Sequence, residues 1–66
     1  MQLIVNGEAR EIDGTPTVAE FLAARSVNAR MVVVERNGAI VPRDQYDTPP
    51  LVNGDVLEIV QMMAGG

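Results

Sequence analysis

A chain of 66 residues has room for one small domain, in which folding buries only about 60% of the surface exposed by the unfolded chain, so no second domain is expected within it. Apolar residues make up 47% of the sequence and charged residues 21%, close to globular averages, which predicts folding around a single core. Nine Asp and Glu against five Arg give a net charge of -4, the wrong sign for gripping nucleic-acid phosphates or an anionic membrane, and better suited to a basic partner surface.

Met1 to Val5 is short and β-prone, and Asn6-Gly7 follows at once, supplying two positive-φ positions for a type I′ turn. Glu8 to Ile12 should pair back on it as a hairpin. Asp13-Gly14 breaks the strand, and Thr17-Val18-Ala19-Glu20 has the Thr-x-x-Glu spacing of a capping box, so a helix is predicted to start at Val18. Val18, Phe21 and Leu22 form its apolar stripe, and Ser26 to Ala29 end it. Met31 to Glu35 is β-branched and apolar on both parities, which predicts a strand in the middle of the sheet. Asn37-Gly38 then turns the chain into a short edge strand, Ala39 to Val41, cut off by Pro42. Arg43 to Pro50 is polar and reads as a loop; Asn53-Gly54 is the third turn, and Val56 to Val60 the last strand. The element order is written ββαββ.

One helix can cover only one face of such a sheet. If Leu3, Val5, Leu57 and Ile59 join Phe21 and Leu22 in the core, period-2 alternation sends Ile4, Val56 and Val60 to the other face, with at least one residue of the triple valine. That face is then apolar and open unless the long loop folds over it, and an exposed apolar patch marks a partner site.

The absence of Cys and His removes disulfides, thiol nucleophiles and imidazole chemistry, so a metal site would need carboxylates alone and no cofactor is expected. Lysine is absent while arginine occurs five times, a bias that reads as GC-rich coding rather than as an avoidance of amines. Met1-Gln2-Leu3 opens no leader-like segment, and no run approaches the roughly 20 apolar residues of a membrane span, so a cytoplasmic protein is expected. Arg43, Asp44, Tyr46 and Asp47 read as loop residues, and no acid/base set is expected. The sequence finishes Met62-Met63-Ala64-Gly65-Gly66. A terminal Gly-Gly is narrow and conformationally free, able to thread a tunnel and present a bare α-carboxylate, which becomes reactive only once activated, for instance as an acyl adenylate.

Gly65-Gly66, Thr17-Val18 with Phe21-Leu22, Asn37-Gly38 followed by Ile40-Val41-Pro42-Arg43, Tyr46, and Gly54-Asp55 before the last strand together resemble the ThiS family, the sulfur carrier proteins of thiamine biosynthesis, along the whole chain. Val41-Pro42-Arg43 and the terminal pair are the most specific part. The resemblance implies an α+β, ubiquitin-like β-grasp fold: a mixed sheet of four to five strands packed on one helix. It also implies that an E1-like adenylyltransferase joins the Gly66 carboxylate to AMP. Sulfur drawn indirectly from a cysteine desulfurase or sulfurtransferase displaces the AMP, and thiazole synthase takes the sulfur from the resulting thiocarboxylate. The protein would be a cosubstrate rather than an enzyme. One departure is Ala64, preceded by Met62-Met63, where many members carry a third glycine. Sulfur carriers for molybdopterin, tRNA thiolation or cysteine synthesis, a ubiquitin-like protein modifier and a plain interaction module remain open alternatives.

The expected organisation is a body of residues 1–61 and a tail of residues 62–66, ordered to about Val60 and mobile beyond it. Gly66 is the sulfur-bearing terminus, with Gly65 and Ala64 threading the partner's tunnel. Val56, Val60 and Met62, with Ile4 and Val33, are expected to contact the adenylating enzyme, and Glu58 or Asp55 to pair with its basic residues. A free monomer is expected, because a stable homo-oligomer would obstruct docking.

Overall fold

Asn6 and Gly7 have φ of 50° and 82°, and Asn37 and Gly38 have 53° and 87°. Two consecutive left-handed residues make a type I′ turn, whose twist matches that of the strands it joins. The computed structural model, which describes residues 1–62, accordingly contains two antiparallel hairpins. The first is β1 (Gln2–Val5) with β2 (Glu8–Glu11); the second is β3 (Val32–Arg36) with β4 (Ala39–Ile40). Helix α1 (Val18–Ala24) lies between them in sequence, and β5 (Val56–Gln61) comes last.

The spatial order is β2-β1-β5-β3-β4. Strand β5 runs parallel to β1 and antiparallel to β3, so the sheet is mixed and has five strands; the order is ββαβββ, correcting the expected ββαββ, because the short β4 stands as a strand of its own between β3 and β5 in sequence. The middle position belongs to β5 and not, as the valine run suggested, to β3. The apolar character of β3 on both parities reflects flanking by β5 and β4, which any interior strand has, and does not single out the centre.

Helix α1 starts where its capping box places it. The Thr17 side chain accepts from the Glu20 N–H at 3.1 Å, and Glu20 Oε1 accepts from the Thr17 N–H at 2.9 Å. The helix stops after seven residues in a Schellman arrangement: Ser26 N–H donates to Ala23 O, Val27 N–H donates to Leu22 O, and Ser26 takes φ 59°. A 3₁₀ turn at Ala29–Met31, capped by Asn28, precedes β3, so Met31 belongs to that turn and the strand begins at Val32.

Val18, Phe21 and Leu22 of the helix pack on Leu3, Val5, Val32, Val34 and Leu57 of the sheet, with Ile59 half-buried beside them. Two further core residues are Tyr46, from the segment that reads as polar loop, and Leu51, immediately after it. Its backbone docks on the helix: Tyr46 O accepts from the Ala19 N–H at 2.9 Å, satisfying a first-turn donor, and Leu51 N–H donates to Pro16 O at 2.8 Å. The segment therefore seals the helix side of the sheet. The opposite face stays uncovered among the described residues.

Phe21 is 3% exposed, and truncating a buried phenylalanine costs about 3–5 kcal/mol, comparable to the whole stability of a small domain, about 5 kcal/mol. Phe21→Ala is thus expected to remove the cooperative urea transition at 25 °C; a midpoint within the error of the parent protein would refute this packing.

Candidate functional site

Period-2 alternation along β5 points Leu57 and Ile59 at the helix and sets Val56, Glu58 and Val60 on the open face. Register then assembles that face from four strands. Val33 lies opposite Val60, Ile4 opposite Val56, and Ile40 opposite Glu35, which itself lies opposite Glu58. Ile4, Val33, Val56, Val60 and Met62, expected to contact a partner, are all exposed, and β1, β3 and β5 bring Ile4, Val33, Val56 and Val60 onto one surface. Ile40, at 66% exposure the most open large apolar side chain described, adds to the face. Its signal was present in the sequence: with Val41 packed against the core, alternation turns Ile40 outward.

Glu58 is exposed on this face and Glu35 is partly so. Like charges directly opposite across two strands are destabilising, so the pair places unneutralised negative charge in the middle of an apolar surface.

Asp55 does not belong to it. The Asn53-Gly54 turn, with Gly54 at φ 89°, directs its carboxylate inward, leaving the residue 4% exposed. Oδ1 accepts from Asn37 Nδ2 at 2.9 Å; Oδ2 accepts from the Val52 N–H at 2.9 Å and from Arg36 Nη2 at 2.7 Å. The expectation that Asp55 pairs with a partner's basic residue is corrected accordingly: its charge is used inside the fold. Arg36 also donates to the carbonyls of Pro49 and Pro50. The cluster thus ties β3, the long loop and the start of β5 together beneath Val56.

At the far end of the face, Met62 N–H donates to Met31 O at 2.7 Å, extending the β3–β5 ladder by one pair. The apolar surface therefore reaches the point from which the chain continues toward its end. Gly66, expected to bear the sulfur, and Gly65 and Ala64, expected to thread a partner's tunnel, lie outside the described residues. Among the described residues no group of three or more His, Cys, Asp or Glu could hold a metal ion, and no helix is long and apolar enough to cross a membrane. A shallow hollow beside β4 is lined by Ala39, Val41, Pro42, Gln45 and Arg36, whose guanidinium is already committed to Asp55.

The family model described as "ThiS family" matches residues 3–66. The chain is similar to the sulfur carrier protein ThiS of Bacillus subtilis (strain 168), with 36% identity over 52 residues that cover 79% of each chain. It is 42% identical over all 66 residues to a thiazole synthase of Paramagnetospirillum magneticum, of whose length it spans 20%. Among solved structures, the crystal structure of the thiamine biosynthesis protein ThiS from Geobacter metallireducens superposes with a TM-score of 0.85 at 38% identity, covering both chains fully. The five-strand mixed sheet on one helix is thus a ubiquitin-like β-grasp.

The Asp55 cluster gives the support of this face a pH dependence. Burial acts to raise the Asp55 pKa, but the hydrogen bonds from Val52 and Asn37 and the Arg36 guanidinium outweigh it and hold the carboxyl below its ordinary range. A depressed folded-state pKa contributes stability above the unfolded value of about 3.9 and loses it as pH falls through the folded value. The urea midpoint should therefore be flat from pH 7 to about 5 and fall below about 4. Asp55→Asn, which removes charge-assisted hydrogen bonds worth about 1.5–3 kcal/mol, should lower the midpoint at pH 7 and flatten the acid limb. An unchanged acid limb in that variant would assign the pH dependence to other carboxylates.

Proposed function

The chain belongs to the ThiS family, and from that premise we propose that it is a sulfur carrier for thiamine thiazole synthesis, working as a protein cosubstrate on which partner enzymes act. The family match, which runs through Gly65-Gly66, carries this reading. In it an E1-like adenylyltransferase condenses the Gly66 α-carboxylate with ATP, releasing pyrophosphate and leaving an acyl adenylate. Sulfur originating from a cysteine desulfurase or sulfurtransferase attacks the acyl carbon and expels AMP, and Gly66 becomes a thiocarboxylate. Thiazole synthase takes that sulfur and returns the ordinary carboxylate. In this reading the protein is cytoplasmic and works as a monomer, with the residues after Met62, which itself still pairs with Met31, as the reaching tail.

The chemistry at Gly66 requires a partner to hold the body while the last residues enter its active site. The open sheet face is the surface best suited to that role, because β5 leads from it directly into the tail. Val56, Val60 and Met62, with Ile4, Val33 and Ile40, would bury against the adenylating enzyme, and Glu58, opposed by Glu35, would receive a basic group from it. Neutralising that opposed pair relieves a repulsion present in the free protein, which favours the complex over the free state.

A desolvated apolar anchor is typically worth more than about 1 kcal/mol, while a rim charge mainly tunes association rate. Val60 is 55% exposed, so Val60→Asp should leave the fold intact and slow ATP–pyrophosphate exchange by the cognate enzyme about tenfold or more. Deleting Gly66 should abolish exchange without changing the urea midpoint. Normal exchange after the deletion would overturn the carrier reading, whereas normal exchange with Val60→Asp would only move the docking face. Intact mass of protein from sulfur-replete cells should show a terminal oxygen replaced by sulfur; conjugates to other proteins would instead indicate a modifier.

A further inference from the structure

Strand β2 is an edge of the sheet, and Glu8, Ala9, Arg10 and Glu11 along it are all exposed. Which of its backbone groups are free follows from the ladder. Ile4 N–H is spent on Asp55 O, toward β5, while Ile12 N–H donates to Met1 O. The residues of β1 whose backbone faces β2 are therefore Leu3 and Val5, and in an antiparallel pair they bond Arg10 and Glu8, the residues opposite them. Ala9 and Glu11, opposite Ile4 and Gln2, turn their N–H and C=O groups outward, away from β1.

A free edge invites pairing with another strand, and charged side chains are the usual deterrent. On β2 the order of the charges selects a partner instead. Glu8 and Arg10 lie opposite the core residues Val5 and Leu3, so both stand on the helix side of the sheet, at its margin. Arg10 Nη2 lies 2.7 Å from Glu8 Oε1, which shows the two groups within reach of each other along one strand.

A second β2 laid antiparallel against the first must set outward-facing residues opposite outward-facing residues. Ala9 can then meet Gly7, Ala9 or Glu11 of the second copy, or Glu11 can meet Glu11. The first register opposes Glu8 to Glu8, the third Arg10 to Arg10 and the last Glu11 to Glu11, and like charges directly opposite are destabilising. Ala9 against Ala9 instead sets each Glu8 opposite the second copy's Arg10. Together with the ion pair inside each strand, the four side chains then alternate in sign around a square. Each Ala9 N–H donates to the other Ala9 carbonyl, only methyl groups meet at the two-fold axis, and Glu11 faces a glycine.

From this free edge and its self-complementary charges, we propose that two copies of the chain pair edge to edge through β2, Ala9 against Ala9, joining their sheets into one. The two-fold axis runs perpendicular to the sheet, so both helices lie on one side and both open faces on the other. Val56, Glu58 and Val60 stay uncovered, and each copy still meets a partner enzyme singly. The pairing stands independently of the carrier reading.

Sedimentation equilibrium and amide chemical shifts of the full chain, followed on dilution, test the pairing. A contact this short is of the weak, transient kind, so a dimer with Kd of about 0.1–1 mM is expected, the Ala9 amide moving most on dilution. Glu8→Arg should weaken it at least tenfold, although it makes the net charge of -4 less negative, and Arg10→Glu should do the same. The two reversals together restore the alternation and should recover the dimer. Ala9→Pro removes an N–H that points away from β1 and should abolish pairing while circular dichroism shows the parent fold; if that variant does not fold, the charge reversals at exposed positions decide. A chain that is monomeric at about 1 mM overturns the proposal. So does a dimer indifferent to the single reversals, or one that survives Ala9→Pro and is broken by Val60→Asp, which would set the contact on the open face.

Discussion

Strand β5 has to be held between two hairpins that are each locally complete without it, and the rest of the structure depends on how that gap is filled. Its backbone meets β1 on one side and β3 on the other, but the β1–β5 pairing is only two residues long. The deficit is made up by side chains from the two type I′ turns. Asn6 accepts from the Ile59 N–H at 2.7 Å and donates to Ile59 O at 3.3 Å; Asn37 accepts from the Val56 N–H at 2.9 Å and donates to Asp55. A carboxamide can do this because it carries both a donor and an acceptor. Each asparagine therefore reverses its own hairpin and pins the central strand from opposite flanks.

With β5 fixed, the two faces of the sheet acquire different fates. The helix, the Tyr46–Leu51 segment and the Arg36–Asp55 pair consolidate one side. On the other, the same alternation that buries Leu57 commits Val56 and Val60 to solvent. An apolar face is the outcome of covering a five-strand sheet with one seven-residue helix, and it is the surface proposed above for docking of a partner. In that proposed docking the acidic Glu35–Glu58 pair would favour a basic partner surface, since a neutral or acidic one would leave the repulsion unrelieved.

The turns, the capping box and the facing of residues on β1 and β5 were legible because each is decided within a few residues: φ preference at Asn-Gly, the Thr17–Glu20 reciprocity, period-2 alternation. Tyr46 and Leu51 were not, because a single apolar residue among polar neighbours has no periodicity, and only the docking of the loop on Pro16 and Ala19 buries it. Asp55 misled for the opposite reason. Beside a turn and before a strand it looks like a solvated acid, and nothing local announces that Arg36, nineteen residues away in sequence, comes within 2.7 Å of it.

The sequence by itself determined the element types, most of their boundaries, the split of β5 into a buried and an open face and, through Gly65-Gly66 and the residues resembling the ThiS family, the chemistry expected of the chain. Tertiary structure decided the strand order, with β5 and not β3 at the centre, the burial of Asp55, and the reach of the open face across β1, β3, β4 and β5. The physical reason is the range of the interactions. Backbone dihedral preferences and side-chain alternation act over two to four residues, whereas strand neighbours, ion-pair partners and the continuity of a surface are set by contacts between segments that lie tens of residues apart along the chain.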